Sequence, residues 1–354
     1  MNKYVKRYLI DAMSGMAQGL FASLLIGTII RTLGLQLLRV ADIVPFQFLV
    51  QAGNFAMNPN VVGAAMAIGI GYAMKVDALV LFSTATVGAA ANVTGGAGGP
   101  LAVLFIAIIA AEIGQLVSKK TKVDIIVTPL VTVLTGSLLT VLFAKYLGIA
   151  ASSVGNVVMW ATNLHPFVMG MIVSAVVGIA LTLPISSAAI CAAFGLVGLA
   201  GGAAVAGCCA QMVGFAVLSY RENKVGGLLS QGLGTSMLQM PNIIKNPLVW
   251  IPPTLASIIT GPIATCVFKM QMNGAPISSG MGTCGLVGPI GVISGWFEPS
   301  EKAVEQGLAA INPSWFDWLG LVLICVVLPA VISWALGALL RKINWIKEGD
   351  LTLA

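Results

Sequence analysis

Long apolar runs, separated by short polar or Gly/Pro-rich breaks, organise this chain. The runs fall at 16–38, 60–74, 77–95, 99–118, 123–147, 166–183, 187–207 followed by 209–220, 248–270 and 317–340. A bilayer crossing needs about 20 predominantly apolar residues, so most of these runs read as membrane spans, roughly eight to ten in all. They are continuous rather than alternating, which points to helices and away from a barrel of alternating strands. Two stretches, 225–247 and 273–297, are too polar or too glycine-rich to be simple spans. The pattern predicts an all-α polytopic membrane protein, with residues 1–354 as a single membrane domain.

Composition agrees with the pattern. The 354 residues are 58% hydrophobic and only 8% charged, with a mean hydropathy of +0.98, whereas soluble domains carry about 25% charged residues. The longest polar stretch, Trp296 to Pro313, is too short to fold alone. Its acids Glu298, Glu301 and Glu305 read as an exposed surface helix. Lys3, Lys6 and Arg7 precede the run Met16 to Leu38, which has no small-residue cleavage pattern and reads as a retained first span.

Charge then sets an orientation. With the N-terminus in the cytoplasm, alternation places Lys75, Lys119, Lys120 and Lys122 on the same side. Arg221, Lys224, Lys269, Arg341, Lys342 and Lys347 join them, so both termini are expected to be cytoplasmic. The net charge of +6 therefore reports topology, and no nucleic-acid partner is expected. The six cysteines show no CxxC or Cys/His spacing and read as small buried hydrophobes. One histidine and scattered acids cannot assemble a His-rich metal site. Gly95 to Pro100 lacks the Lys-Ser/Thr of a nucleotide loop. No metal, cofactor or catalysis by this chain alone is expected.

Four polar clusters stand out: Gln51, Asn54, Asn58 and Asn60; Asn92 and Thr94 before Gly95 to Pro100; Asn163 and His165 followed by Thr182 to Ser187; and Gln271 and Asn273 followed by Pro276 to Thr283. Polar side chains in a bilayer usually face other protein or a water-filled cavity. Broken helices are tolerated where the backbone lines such a cavity. A set rich in hydroxyls and amides, with little charge, suits a neutral hydroxyl-bearing solute, although small and hydroxyl side chains also pack helices together. Pro-Ile-Ser-Ser occurs twice, at 184–187 and 276–279. Each copy could form a re-entrant tip, with Pro ending one arm and Ser capping the next helix. His165 could bond a solute hydroxyl, shuttle a proton or cap the helix that starts near Pro166. Glu112, six residues before Ser118 and roughly 9 Å deep, could snorkel or pair with a polar group.

Gly99-Pro100-Leu101, a long helix, Ser118-Lys119-Lys120-Thr121-Lys122-Val123, Thr128-Pro129-Leu130 and a second long helix follow one another through Gly148. This order resembles the membrane subunit, enzyme IIC, of the bacterial phosphoenolpyruvate sugar phosphotransferase system. It is most similar to stand-alone IIC-like proteins, a toxin-gene regulator among them. The resemblance implies about ten spans and two re-entrant hairpins. It also implies a homodimer in the bacterial plasma membrane, surrounded by membrane lipid. Residues 1–160 would form a scaffold and dimer half, and 161–354 a solute-binding half that moves like an elevator. The solute would be a sugar or polyol, near His165, Asn163, Ser186, Ser187, Asn92, Ser278, Ser279 and Asn273. Any phosphorylation would need separate IIA and IIB partners.

In sugar-transporting relatives a histidine precedes a hairpin motif resembling Thr-Glu-Pro-Ile-Glu, whose first acid contacts the hydroxyl to be phosphorylated. Here the motif reads Thr182-Leu183-Pro184-Ile185-Ser186, and both acids are replaced. Two other readings therefore stand beside a transporter. One is a membrane sensor that keeps the fold without flux. The other is a facilitator for a different small solute, such as an anion held at hairpin helix N-termini.

Overall fold

A computed structural model describes residue 4 and residues 6–353. The described chain is predominantly helical, and its only β pairing among the described residues is an isolated antiparallel bridge between Gly198 and Met272. Residues 1–151 and 152–354 form two compact units.

The first unit begins with α1 (Lys6–Leu38), followed by α2 (Val44–Ala56), α3 (Pro59–Ala73), α4 (Ala78–Gly95) and α5 (Gly99–Val117). It ends within α6 (Asp124–Thr162), which continues past the unit boundary. Proline in the first turn starts α2, α3 and α5, where its missing N–H costs nothing. Asn58 also caps α3 by accepting from the Asn60 amide at 3.0 Å. Gly96, at φ 52°, interrupts the chain between α4 and α5.

α2 is absent from the sequence expectation, because Gln47, Gln51 and Asn54 divide its apolar positions. It lies against α1, where a Cβ at Gly53 would stand 2.5 Å from the Arg31 Cβ. Arg31 Nε donates to Asn54 Oδ1 at 2.9 Å.

Charge at the ends of these helices is paired. Glu112 on α5 meets Arg7 on α1 at 2.8 Å, so this acid is a helix-to-helix tie. Asp77 accepts from Gln115 Nε2 at 2.8 Å and Ser118 Oγ at 3.0 Å, and forms an ion pair with Lys119. The Lys119 ammonium first, then the Gln115 and Ser118 donors, hold the Asp77 carboxyl below its ordinary range.

The second unit holds α7 (Pro166–Thr182), α8 (Ser187–Ala193), α9 (Gly198–Leu218), α10 (Tyr220–Leu229), α11 (Met240–Lys245), α12 (Pro247–Val267), α13 (Val287–Phe297), α14 (Glu301–Glu305) and α15 (Trp315–Lys342). α9 is its axis: 89% of its apolar window is buried, as expected of a helix that is apolar on every side. α7, α12 and α15 pack around it. Gly207 lets the α7 backbone approach at the Ser174 carbonyl, and Gly202 does the same for Met270.

The expected interruption near Cys208 does not occur. The break lies at 194–197, between left-handed Gly195 (φ 61°) and Gly198 (φ 65°). After α15 the chain folds back onto a row of buried amides. Asn223 Nδ2 and Gln239 Nε2 donate to the Leu351 carbonyl at 2.8 and 3.0 Å, and Asn242 Nδ2 to the Thr352 carbonyl at 2.9 Å.

Six helical stretches are long and apolar enough to cross a membrane by length and composition, and three shorter apolar helices accompany them among the described residues.

Candidate solute site at two helix breaks

The first copy of Pro-Ile-Ser-Ser separates two helices, the second forms a short turn after a non-helical stretch, and the two meet. In the first, α7 stops at Thr182 and Leu183 is extended. Ser186 then caps α8 by accepting from the Ala189 amide at 3.2 Å. In the second, Pro276–Gly280 forms one tight 3-10 turn, and Gly282 at φ 54° redirects the chain toward α13.

Ser187 Oγ donates to the Gly280 carbonyl at 2.7 Å, and Ser279 Oγ donates to the Leu196 carbonyl at 2.7 Å. Gly280 permits this approach, since a Cβ there would stand 2.5 Å from the Ser187 carbonyl oxygen. The backbones of Gly198 and Met272 exchange two hydrogen bonds of 3.0 Å beside the tips.

Three of the four tip hydroxyls are thus spent on backbone. Ser278 is different: it is 7% exposed, and its hydroxyl has no hydrogen-bond partner among the described residues. A Cβ at Gly291 on α13 would lie 3.1 Å from this hydroxyl.

Asn273 is fully buried, and its Oδ1 is unpartnered, while its Nδ2 reaches Gln271 Oε1 at 3.2 Å and the Ala309 carbonyl at 3.5 Å. A buried acceptor without a donor costs about 1–3 kcal/mol. Among the described residues, Asn273 Oδ1 and the Ser278 hydroxyl are thus polar groups near the second tip without a hydrogen-bond partner. No carboxylate joins the hydrogen-bonded contacts between the tips.

The other expected residues lie elsewhere. His165 Nδ1 accepts from the Phe167 amide at 3.4 Å, so it caps the start of α7. The 17 residues of α7 separate it from Leu183 by roughly 25 Å along the helix. Asn163 is exposed beside it and donates to the Met159 carbonyl at 3.3 Å. Asn92 belongs to the first unit, where its Nδ2 donates to the Pro59 carbonyl at 2.8 Å and ties α4 to α3. Within the second unit, four expected serines therefore gather with Asn273, while His165 and Asn163 do not join them.

A family model described as Phosphotransferase system, EIIC matches residues 10–353. The chain belongs to the phosphotransferase system EIIC family. No curated protein matches it. This EIIC-family chain is thus a multi-pass membrane protein of sugar-transporter type, built on apolar helices with two broken segments in its second unit.

One polar centre of the EIIC-family chain escaped the sequence reading. Gln211 is fully buried on α9. Its Oε1 accepts from Trp250 Nε1 at 2.9 Å and Thr182 Oγ1 at 3.2 Å, and its Nε2 donates to Thr254 at 3.3 Å and Ser257 at 3.4 Å. Thr182 also meets Ser236 Oγ at 2.7 Å. The amide is fully paired, and it binds α7 and α12 to α9. The available signal was composition, since Gln211 is the one amide or charged residue among the 21 residues of α9.

Proposed function

We propose that this protein is a IIC-type permease for a neutral polyhydroxylated solute, a sugar or polyol. The observation that carries the reading is the junction of the two Pro-Ile-Ser-Ser tips, where Asn273 Oδ1 and the Ser278 hydroxyl have no partner among the described residues. An unpaired amide oxygen accepts a solute hydroxyl, and a serine hydroxyl donates or accepts, so the pair suits polyols better than ions. The hairpin-bearing unit would be the moving carrier, and residues 1–151 the scaffold that dimerises. The termini would face the cytoplasm of a bacterial cell. Any phosphoryl transfer would need separate IIA and IIB proteins.

A second reading has its own observation. Ser186, Ser187 and Ser279 are already satisfied, and Leu183 stands where relatives place an acid. A sensor that binds solute without carrying it is consistent with such a closed junction.

The test combines thermal shift with uptake into proteoliposomes, across sugars, polyols, sugar phosphates and carboxylates. A bound solute at a hundred times its Kd adds about 2.7 kcal/mol of stability. A selective sugar or polyol shift, lost in Ser278→Ala and Asn273→Ala while folding persists, supports the site, and accumulation then separates permease from sensor. A shift with carboxylates alone, or a sugar shift unchanged in both variants, overturns it.

A further inference from the structure

A second candidate site lies apart from the tips, at the basic end of α9 and α15. A cavity of about 340 Å³ opens there, lined by Val217, Tyr220, Arg221, Leu228, Trp334 and Arg341, among others. Trp334, Ala338 and Arg341 are spaced i, i+4 and i+7, so they share one face of α15. Seven residues place Arg341 about 10 Å nearer the helix end than Trp334. The cavity is therefore graded, with guanidinium groups at its outer end and an indole and aliphatic wall further in.

The charges of this cavity are arranged asymmetrically. Glu222 is nearly buried and holds Arg341 by one terminal nitrogen, Nη2, at 2.8 and 3.1 Å. The same nitrogen donates to the Leu218 carbonyl at 3.2 Å. Nε and Nη1 of Arg341 have no partner among the described residues, nor does the exposed Arg221. One carboxylate thus fixes one guanidinium in place, and two arginines against one acid leave the cavity positive. Trp334 and Tyr220 are 61% and 44% exposed, as aromatic side chains at a membrane interface are.

We infer that this cavity binds an anionic phospholipid, its phosphate on Arg221 and the free edge of Arg341 and its acyl chain along Trp334, Leu228 and Val217. An arginine fork matches phosphate geometry, and basic pockets between transmembrane helices take anionic lipid headgroups. A free phosphate would satisfy the arginines but leave the apolar wall exposed. This proposal is independent of the solute reading at the helix breaks.

The experiment reconstitutes the full chain in nanodiscs of equal phosphatidylglycerol and phosphatidylcholine, and counts retained lipid by native mass spectrometry. Wild type is expected to keep phosphatidylglycerol over phosphatidylcholine by about tenfold. Arg221→Gln, which removes an unpaired surface charge, should lower that preference several-fold. Ala338→Phe, at an exposed position, should lower it by filling the cavity with the charges intact. Equal retention in wild type, or a preference unchanged in both variants, overturns the assignment. A parallel thermal shift with inorganic phosphate in phosphatidylcholine alone distinguishes the sources. Stabilisation by phosphate that equals stabilisation by phosphatidylglycerol would make this a free-anion site and refute the lipid.

Discussion

Replacing Gln211 by Leu removes the amide at the centre of the second unit while keeping a side chain of similar size. Four hydrogen bonds are lost, to Trp250, Thr182, Thr254 and Ser257. Hydrogen bonds between membrane helices average about 0.6 kcal/mol and reach about 1.7, so four are worth about 2.4 kcal/mol. The hydroxyls have alternatives: Thr182 retains Ser236, and Ser257 retains the Pro253 carbonyl at 3.0 Å. The Trp250 indole N–H has no other partner among the described residues, and leaving it dry adds about 1–3 kcal/mol. Trp250 is only partly buried, which favours the low end. The expected loss is therefore about 3–4 kcal/mol. Reversible unfolding in mixed micelles, followed by tryptophan fluorescence, measures it. Trp250→Phe alone should cost less, and the double variant should fall short of additivity by about 0.6–1.7 kcal/mol. A Gln211→Leu protein within about 0.5 kcal/mol of wild type, or strict additivity with Trp250→Phe, would refute the reasoning.

Two further perturbations test other parts of the molecule. The Asp77 carboxyl is held low by Lys119, Gln115 and Ser118, so its contribution is present above its unfolded pKa and is lost as pH falls through the folded value. Asp77→Asn should lower the unfolding temperature at neutral pH, with the gap closing in acid below about pH 4; a gap independent of pH would count against this network. Gly280→Ala places a Cβ 2.5 Å from the Ser187 carbonyl oxygen and 2.8 Å from the Ala188 nitrogen, backbone atoms that cannot move independently. It should cost about 1–3 kcal/mol, whereas Gly226→Ala, with nothing within 4 Å in an exposed helix, should gain up to about 1 kcal/mol. Equal effects of the two in the unfolding assay would mean that the tips are not closely packed.

Uniform apolar content made most helices legible in the sequence. The runs at 99–118 and 166–183 match α5 and α7 to within a residue at each end. Helices with interspersed polar residues were harder. α2 was hidden by Gln47, Gln51 and Asn54, and α6 runs on to Thr162 through Gly148, Ser152, Ser153 and Asn156. Intrinsic preference for loops there is overridden by the need to pair backbone groups within helices. At the candidate site the residue types were legible but their partners were not. Ser187 bonds a backbone carbonyl 93 positions away, which no local pattern encodes. His165 was open between a solute role and a cap, and its Nδ1 is a cap.

The two departures from the hairpin motif of sugar-transporting relatives are not equivalent. Ser186 stands where those relatives carry the second acid, and it occupies the N-cap of α8, bonding the Ala189 amide at 3.2 Å. Serine is among the side chains best suited to an N-cap, so the turn into α8 is well formed here. The resemblance sets Leu183 against the first acid. Leu183 sits in extended backbone just after α7, half-buried, with a side chain that accepts no hydrogen bond. The residue at the second place is thus a working cap, and the residue at the first place offers no polar group. In the permease proposed above, phosphoryl coupling is therefore the step for which the hairpin supplies no carboxylate.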